Sequence, residues 1–470
     1  MSATAAPVPT ALTRAGHARA TLALGLPLIG SHVAQVGLQI TDTLMMGWYS
    51  VQALAALVLG ATTFFTVFIL GMGIAMAVMP MVAHAAASDD AAEVRRVTRM
   101  GLWLSAIFAV AMLPLFWFSA PILRALGQDP EVAALAQDYL RVLGPGILPA
   151  LLFMVLKSAL AALERTQFVL WLTVAVAVLN VPLNWVLIFG NLGAPEMGVQ
   201  GAALASLVLH LGGCAVLMVY AAREPGLVRY RLLARLWRPD WPGFFRVFRL
   251  GWPIGLTNLA EAGLFAASAL LMGLIGTLEL AAHGIAIEIC SVIFMVHLGL
   301  SNAATVRAGR ALGAGDLPGL RRGAGVATAL SLGFALATLA IYLGFPAQLM
   351  GLFLAPDNPQ RDAVIAVGIG LFAVAALFQL ADAAQVMAVG LLRGLQDTRV
   401  PLMIAAFSYW AIGIPSSWLL GIRLGWGGEG VWAGLVIGLT FAGVLLSLRF
   451  WRRLAALQAA ARPAPARPGA

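Results

Sequence analysis

Charge is scarce in this chain, and cysteine is almost absent. Asp, Glu, Lys and Arg make up 10% of its 470 residues, against about 25% in a soluble domain. No stretch is both polar and long enough to fold as a soluble catalytic domain. The two cysteines, Cys214 and Cys290, lie inside apolar blocks, which excludes a disulfide framework and a paired thiolate site. The six histidines, at 17, 32, 84, 210, 283 and 297, lack metal-ligand spacing. No Walker A, GxSxG or HExxH sequence is present, so ATP is no evident direct driver and an intramembrane enzyme has no visible nucleophile or metal cluster. The ten-residue alternation of a membrane barrel is missing too. The first apolar block is too long for a cleavable signal, so none is expected.

What the chain has instead is length in hydrocarbon. It is 61% hydrophobic, with a mean hydropathy of +0.92. Twelve apolar blocks lie near 21–46, 53–84, 98–118, 135–160, 168–190, 198–222, 250–275, 280–306, 323–345, 364–392, 400–420 and 430–450. Each is about long enough to span a bilayer. The expected class is an all-α membrane protein of twelve transmembrane helices.

The chain also repeats itself. Shifted by 226 residues, Leu24, Gly25 and Pro27 fall on Leu250, Gly251 and Pro253, Gly73 on Gly299, and Arg95-Arg96 on Arg321-Arg322. At an offset of 232, Leu163 and Thr166 fall on Leu395 and Thr398. Two halves of six spans enter the membrane from one side, so the repeat is parallel and the halves are two pseudo-symmetric six-helix bundles. A substrate path between related halves is the mark of a transporter. The expected organisation is a tail over 1–20, bundles over 21–225 and 248–455, a linker over 226–247 and a disordered Pro/Ala-rich tail over 456–470.

The net charge of +9 is not a nucleic-acid signal, because the basic residues sort by loop. With twelve spans, 25 of the 29 Lys and Arg fall on the side of the termini, and only Arg124, Arg141, Arg361 and Arg423 on the other. The positive-inside rule then places both termini in the cytoplasm of a cell whose inner membrane holds the protein. The linker stretch Arg229–Arg238 mixes Arg with Tyr, Trp and Leu. Two readings stay open for it: a segment along the membrane surface, binding lipid, or a plain cytoplasmic connection. Lys157, near the end of the fourth block, is expected to snorkel to the interface.

Ionisable side chains in hydrocarbon cost at least ~2.5–3.5 kcal/mol on insertion scales. Four acids nevertheless stand deep in blocks: Asp42, Glu261, Glu288 and Asp382. Gln35, Gln39 and Asp42 follow an i, i+4, i+7 pattern on one helix face, the wall of a wet cavity or an anchor. Asn180 and Asn184 flank Pro182, which frees a backbone carbonyl. They are placed to bond Asp42 or hold a cation, or to serve as interhelical glue. Glu261 has Asn258 one turn before it, and Asp382 is flanked by Phe378, Gln379 and Gln385. If Glu261 and Asp382 converge, they share a proton or a metal cation such as Na⁺. The alternative, an ion pair, lacks a basic residue at comparable depth in the second half. Glu288 is either a third acid of that cavity or a helix contact. Phe265, Phe378 and Gln385 are candidates for lining the substrate cavity.

Four segments carry a family resemblance: Asp42-Thr43-Leu44-Met45-Met46-Gly47; Asn180-Val181-Pro182-Leu183-Asn184-Trp185; Glu261-Ala262-Gly263-Leu264-Phe265-Ala266 with Ala281-Ala282-His283; and Asp382-Ala383-Ala384-Gln385-Val386 leading to Leu392-Arg393-Gly394. In order and on a 6+6 repeat, the chain resembles the multidrug and toxic compound extrusion (MATE) transporters, in their NorM-like bacterial branch. The resemblance implies export of organic cations in exchange for inward H⁺ or Na⁺, with no other cofactor. It implies a coupling-cation site at Glu261 and Asp382, and an N-terminal polar cavity at Asp42, Asn180 and Asn184. Two positions depart from the pattern. Phe378 replaces a Tyr one turn before the second acid, removing one oxygen ligand, and Gly284 replaces a Gln after His283. A lipid-linked oligosaccharide flippase of the same architecture is the second reading, but its polyanionic substrate calls for basic cavity walls. The expected protein is a monomeric antiporter whose halves rock about kinks at Pro27 and Pro253, with small organic cations and membrane lipids as partners.

Overall fold

Among the described residues, twelve helical segments are long and apolar enough to cross a membrane, one for each apolar block. The computed structural model describes residues 12–461. The N-terminal lobe contains α1 (Arg14–Tyr49), α2 (Val51–Ala87), α3 (Ala91–Trp117), a short α4 (Ser119–Ala125), α5 (Pro130–Leu143), α6 (Ile147–Ala162), α7 (Thr166–Phe189) and α8 (Gly198–Arg223). The helices α5 and α6 form one span, jointed by a 3₁₀ turn at Gly144–Gly146. The C-terminal lobe contains α9 (Trp241–Ile275), α10 (Thr277–Gly313), α11 (Leu317–Gly344), a short α12 (Pro346–Gly351), α13 (Arg361–Gly394), α14 (Arg399–Ala406), α15 (Ile414–Trp418) and α16 (Gly427–Ala460). The eleventh span, Arg399–Arg423, joins α14 and α15 through π-helical turns at Phe407–Gly413 and Leu419–Arg423.

Several spans outrun their apolar blocks. α1 starts at Arg14, inside the expected tail, and α16 continues to Ala460. Hydropathy ends where Arg begins, but helical hydrogen bonding does not. Of the expected tail over 456–470, residues 456–460 are therefore helical, and 462–470 lie outside the described residues.

The repeat extends to caps and loops. Asp90 caps α3 by accepting from the Glu93 amide at 2.8 Å, and its repeat partner Asp316 caps α11 through Gly319 at 2.8 Å. Left-handed backbone recurs at Asp89 and Gly315, and at Glu164 and Gln396. Each pair is related by the offset that aligns its part of the sequence.

The lobes meet at the end where α1 begins and α2 ends, here called the base. There Gly73 of α2 lies against Gly255 and Gly251 of α9, and Gly299 of α10 lies against Ile29 of α1. Nearer the base, Gly309 touches Pro80 and Gly313 touches His84. Such small residues let helices approach backbone to backbone. Polar bonds across the base join His17 to Arg307 at 2.7 Å, His32 to Asn302 at 3.1 Å, Glu164 to Arg310 at 2.7 Å and Glu93 to Arg246 at 2.8 Å. Towards the opposite end, the mouth, the same helix faces are exposed, at Ile40 and Thr43 on α1, Val58 and Thr62 on α2, and Gly284 and Glu288 on α10. The lobes are thus closed at the base and parted at the mouth.

The linker is not a continuous helix. It forms a 3₁₀ turn at Val228–Tyr230, and left-handed backbone at Arg231 and Arg235 breaks any helical period. Leu227, Tyr230 and Leu232 are buried in the N-terminal core, and the Trp103 indole donates to the Leu236 carbonyl at 2.6 Å. Its far end is fastened by Asp240, which caps α9 and pairs with Arg96.

Candidate functional site

In the N-terminal lobe, α1, α7 and α8 converge on one carboxylate. Asp42 is 8% exposed. Its Oδ1 accepts from Asn180 Nδ2 at 2.9 Å and from Asn184 Nδ2 at 2.6 Å, and its Oδ2 accepts from Ser206 Oγ at 3.4 Å. Asn180 and Asn184 share a face of α7 one turn apart, and Asn184 also donates to Asn180 Oδ1 at 3.2 Å. The acid is held by neutral donors and carries no ion pair among the described residues. Gln35 and Gln39 are not bonded to it: Gln39 is exposed and Gln35 half-buried. Ser206 was not legible as a partner, because a lone Ser in an apolar block is common in packed membrane helices.

In the C-terminal lobe, α9 and α13 carry the second pair of acids. Asp382 is 2% exposed, and its Oδ1 has no hydrogen-bond partner. Glu261 is half-buried, with a fully buried, unpartnered Oε1. Their charges lie within electrostatic reach of each other. Gln379, one turn before Asp382, is buried with both amide atoms unpartnered. Gln385, nearly one turn after it, donates from Nε2 to the Tyr409 hydroxyl at 2.6 Å and leaves Oε1 unpartnered. Unpartnered buried polar atoms are uncommon in folded proteins, and five occur on these two acids and the two glutamines that flank Asp382.

Two residues of this cluster change the expectation. Tyr409 comes from the first π-helical turn of the eleventh span and lies within reach of Glu261, Asp382 and Arg393. It brings a phenolic oxygen to Gln385, nearly one turn beyond Asp382. The sequence hint was a Ser-Tyr pair inside an apolar block, but no 3.6-residue pattern predicts the π-helical turn that aims it. Arg393 corrects the expectation that no basic residue shares this depth. It is 8% exposed, and its Nη2 donates to Asn258 Oδ1 at 2.8 Å, one turn from Glu261. It falls at the last turn of α13, which runs beyond its apolar block into the base.

Phe265 and Phe378 meet edge to face with ring centroids 6.0 Å apart. Phe378 also packs on Trp432 at 5.4 Å and is 3% exposed, so it belongs to the lobe core. Glu288 is not brought to the acid pair. It is exposed and shares its face of α10 with Gly284 and Val292. Eleven residues on, three turns along that face, Gly299 meets α1, so Glu288 looks into the cleft between the lobes. Lys157 does not snorkel. It is 3% exposed, and its ammonium donates to Ser31 Oγ at 2.8 Å, which in turn bonds Thr173 at 3.1 Å. A hydroxyl pair on α1 and α7 holds it inside the lobe. Among the described residues, no three His, Cys, Asp or Glu cluster to hold a metal ion. A cation at Glu261 and Asp382 would therefore also draw on amide and phenolic oxygens.

The chain is similar to known proteins over nearly its whole length. The MatE family model matches residues 27–186 and 253–419, one segment in each lobe. The chain is 47% identical to the probable multidrug resistance protein NorM of Rhizobium meliloti (strain 1021), over 94% of this chain and 95% of that one. It is 38% identical to the protein of the same name in Brucella suis biovar 1, over 94% of each. A solved outward-facing conformation of a multidrug resistance MATE family transporter of the MOP superfamily superposes with a TM-score of 0.86 at 21% identity, covering 94% of this chain and 97% of that one. A eukaryotic MATE transporter superposes with a TM-score of 0.84 at 20% identity, covering 95% and 99%. With twelve spans, two repeated lobes and relatives matched almost end to end, the chain is a multi-pass membrane protein that belongs to the MATE family of transporters.

Proposed function

We propose that this protein is an antiporter of the inner membrane, with both termini cytoplasmic, that exports organic cationic or amphipathic compounds in exchange for inward H⁺ or Na⁺. The supporting observation is the cluster around Glu261 and Asp382. Two acids lie within reach of each other in the lobe interior, with oxygens of Gln379 and Gln385 unpartnered beside them. Hard monovalent cations and protons are bound by oxygen groups of this kind. An ion entering there reduces the negative charge shared by the two acids of α9 and α13 and changes their interaction with Tyr409 on the π-helical turn. Asp42 and its three donors form a buried polar cluster in the other lobe. Glu288, on the cleft face of α10, offers a negative charge to a cationic compound between the lobes.

The export cycle follows from the closed base and parted mouth. A ligand shifts such an equilibrium only through different affinities for its two states. Ion binding in the C-terminal lobe favours release of the compound from the mouth-open form, and its loss to the cytoplasm resets the lobes. Efflux of a cationic dye from proteoliposomes, with Na⁺ replaced by choline at fixed pH, tests this and chooses the ion. Loss of efflux assigns Na⁺, and unchanged efflux that collapses with the pH gradient assigns H⁺. Efflux that ignores both gradients overturns the proposal.

A further inference from the structure

The base of the C-terminal lobe carries a groove that the transport reading does not use. It is about 400 Å³ in volume and lies between α14 and α16, lined by Ile404, Leu445, Leu448, Arg449, Arg452 and Arg453. Its composition is graded along α16. Leu445 and Leu448 come first, and the three arginines follow within the next turn and a half. From Gly427 to Arg452 is ~37 Å of helix at 1.5 Å per residue, against about 30 Å of hydrocarbon. Counted from Gly427, Leu445 lies at ~27 Å, inside the acyl layer, Leu448 at its edge, and Arg452 and Arg453 beyond it. Trp451, 39% exposed beside them, is the residue type that marks the headgroup level.

The charges at this edge are unbalanced. Arg449 is neutralised by Asp397, through Nε at 2.9 Å and Nη2 at 2.8 Å. Arg452 and Arg453 are exposed and make no ion pair among the described residues. Asp397 also lines a second pocket of about 310 Å³, with Arg246, Arg249 and Arg399 around it. Among the described residues it is the sole acid lining either pocket. An apolar groove rising to two unpaired guanidinium groups fits a ligand with a long acyl chain and an anionic phosphate at its end.

We infer that the groove between α14 and α16 is a binding site for an anionic phospholipid, with the acyl chain along Leu445 and Leu448 and the phosphate on Arg452 and Arg453. The site is independent of what the protein carries and of which ion drives it. Native mass spectrometry of the purified protein, titrated with phosphatidylglycerol or phosphatidylcholine of matched chains, reads the occupancy. The anionic lipid is retained at least tenfold better by the wild type. Combined Arg452→Gln and Arg453→Gln lowers its retention to the phosphatidylcholine level, whereas Arg321→Gln with Arg322→Gln, exposed arginines of α11, leaves it unchanged. Leu448→Trp, which fills the apolar part, lowers retention several-fold with all arginines in place. Inorganic phosphate at millimolar concentration does not displace the lipid. Equal retention of both lipids, or full retention of the anionic lipid by either groove variant, overturns the assignment. Displacement by phosphate replaces it with a simple anion site.

Discussion

Gly73 of α2 lies directly against Gly255 of α9, and a Cβ at Gly73 would collide with the backbone of its partner. The repeat makes the same contact twice: 226 residues on, Gly299 lies against Ile29, the counterpart of Gly255. Closure of the base thus depends on two symmetric backbone approaches. Ala is a better helix former than Gly by roughly 0.8–1.0 kcal/mol, so the sign of a Gly→Ala change separates packing from propensity. Gly37→Ala, in open space, is expected to be neutral or mildly stabilising. Gly73→Ala is expected to destabilise by about 1–3 kcal/mol through overpacking, read as unfolding midpoints in one detergent.

The Asp42 cluster predicts a coupling energy. Removing the carboxylate in Asp42→Ala strands the amides of Asn180 and Asn184 in a buried site, at about 1–3 kcal/mol. A double-mutant cycle of Asp42→Ala with Asn184→Ala is expected to show about 0.5–2 kcal/mol of non-additivity. Strict additivity in unfolding midpoints would show that the 2.6 Å contact contributes little.

Tyr409→Phe removes the hydroxyl that accepts from Gln385 and keeps the ring. If that oxygen belongs to the coupling site, the half-saturating ion concentration for efflux rises about tenfold, the equivalent of 1.4 kcal/mol. The maximal rate at saturating ion is expected to change little. A lower rate with unchanged ion dependence would restrict Tyr409 to holding the fold.

The linker anchor is sensitive to acid. Hydrogen bonding to Arg96 holds the Asp240 carboxyl below its ordinary value, so its contribution is complete above the usual carboxylate range of about 4 and fades as pH falls through its lowered value. Asp240→Asn is expected to lower the melting temperature at pH 7 by a few degrees at most, since Arg96 is 37% exposed. That difference is expected to close as pH falls below about 4.

The twelve spans, the 6+6 repeat and the polar positions were legible because each leaves a local or periodic trace. Apolar length gave the helices, and the fixed offset paired Gly73 with Gly299. Pairings across the fold left no such trace. Ser206 reaches Asp42 from a helix 164 residues away, and Tyr409 depends on a π-helical turn. Lys157 and Arg393 were misjudged for one reason. Both lie near the ends of apolar blocks, where hydropathy reads interface, yet packing buries them against Ser31 and Asn258. The linker's mixture of Arg and aromatics read equally as a segment along the membrane surface or a plain connection, and the left-handed backbone at Arg231 and Arg235 left no trace in the sequence.

The central claim is that Glu261 and Asp382 couple an ion gradient to export. Its most direct test is dye efflux from proteoliposomes under imposed pH and Na⁺ gradients, for the wild type, Glu261→Gln and Asp382→Asn. All three are expected to melt at similar temperatures, with gradient-driven efflux falling at least tenfold in each variant. Wild-type efflux that follows the gradient in both variants would contradict the claim.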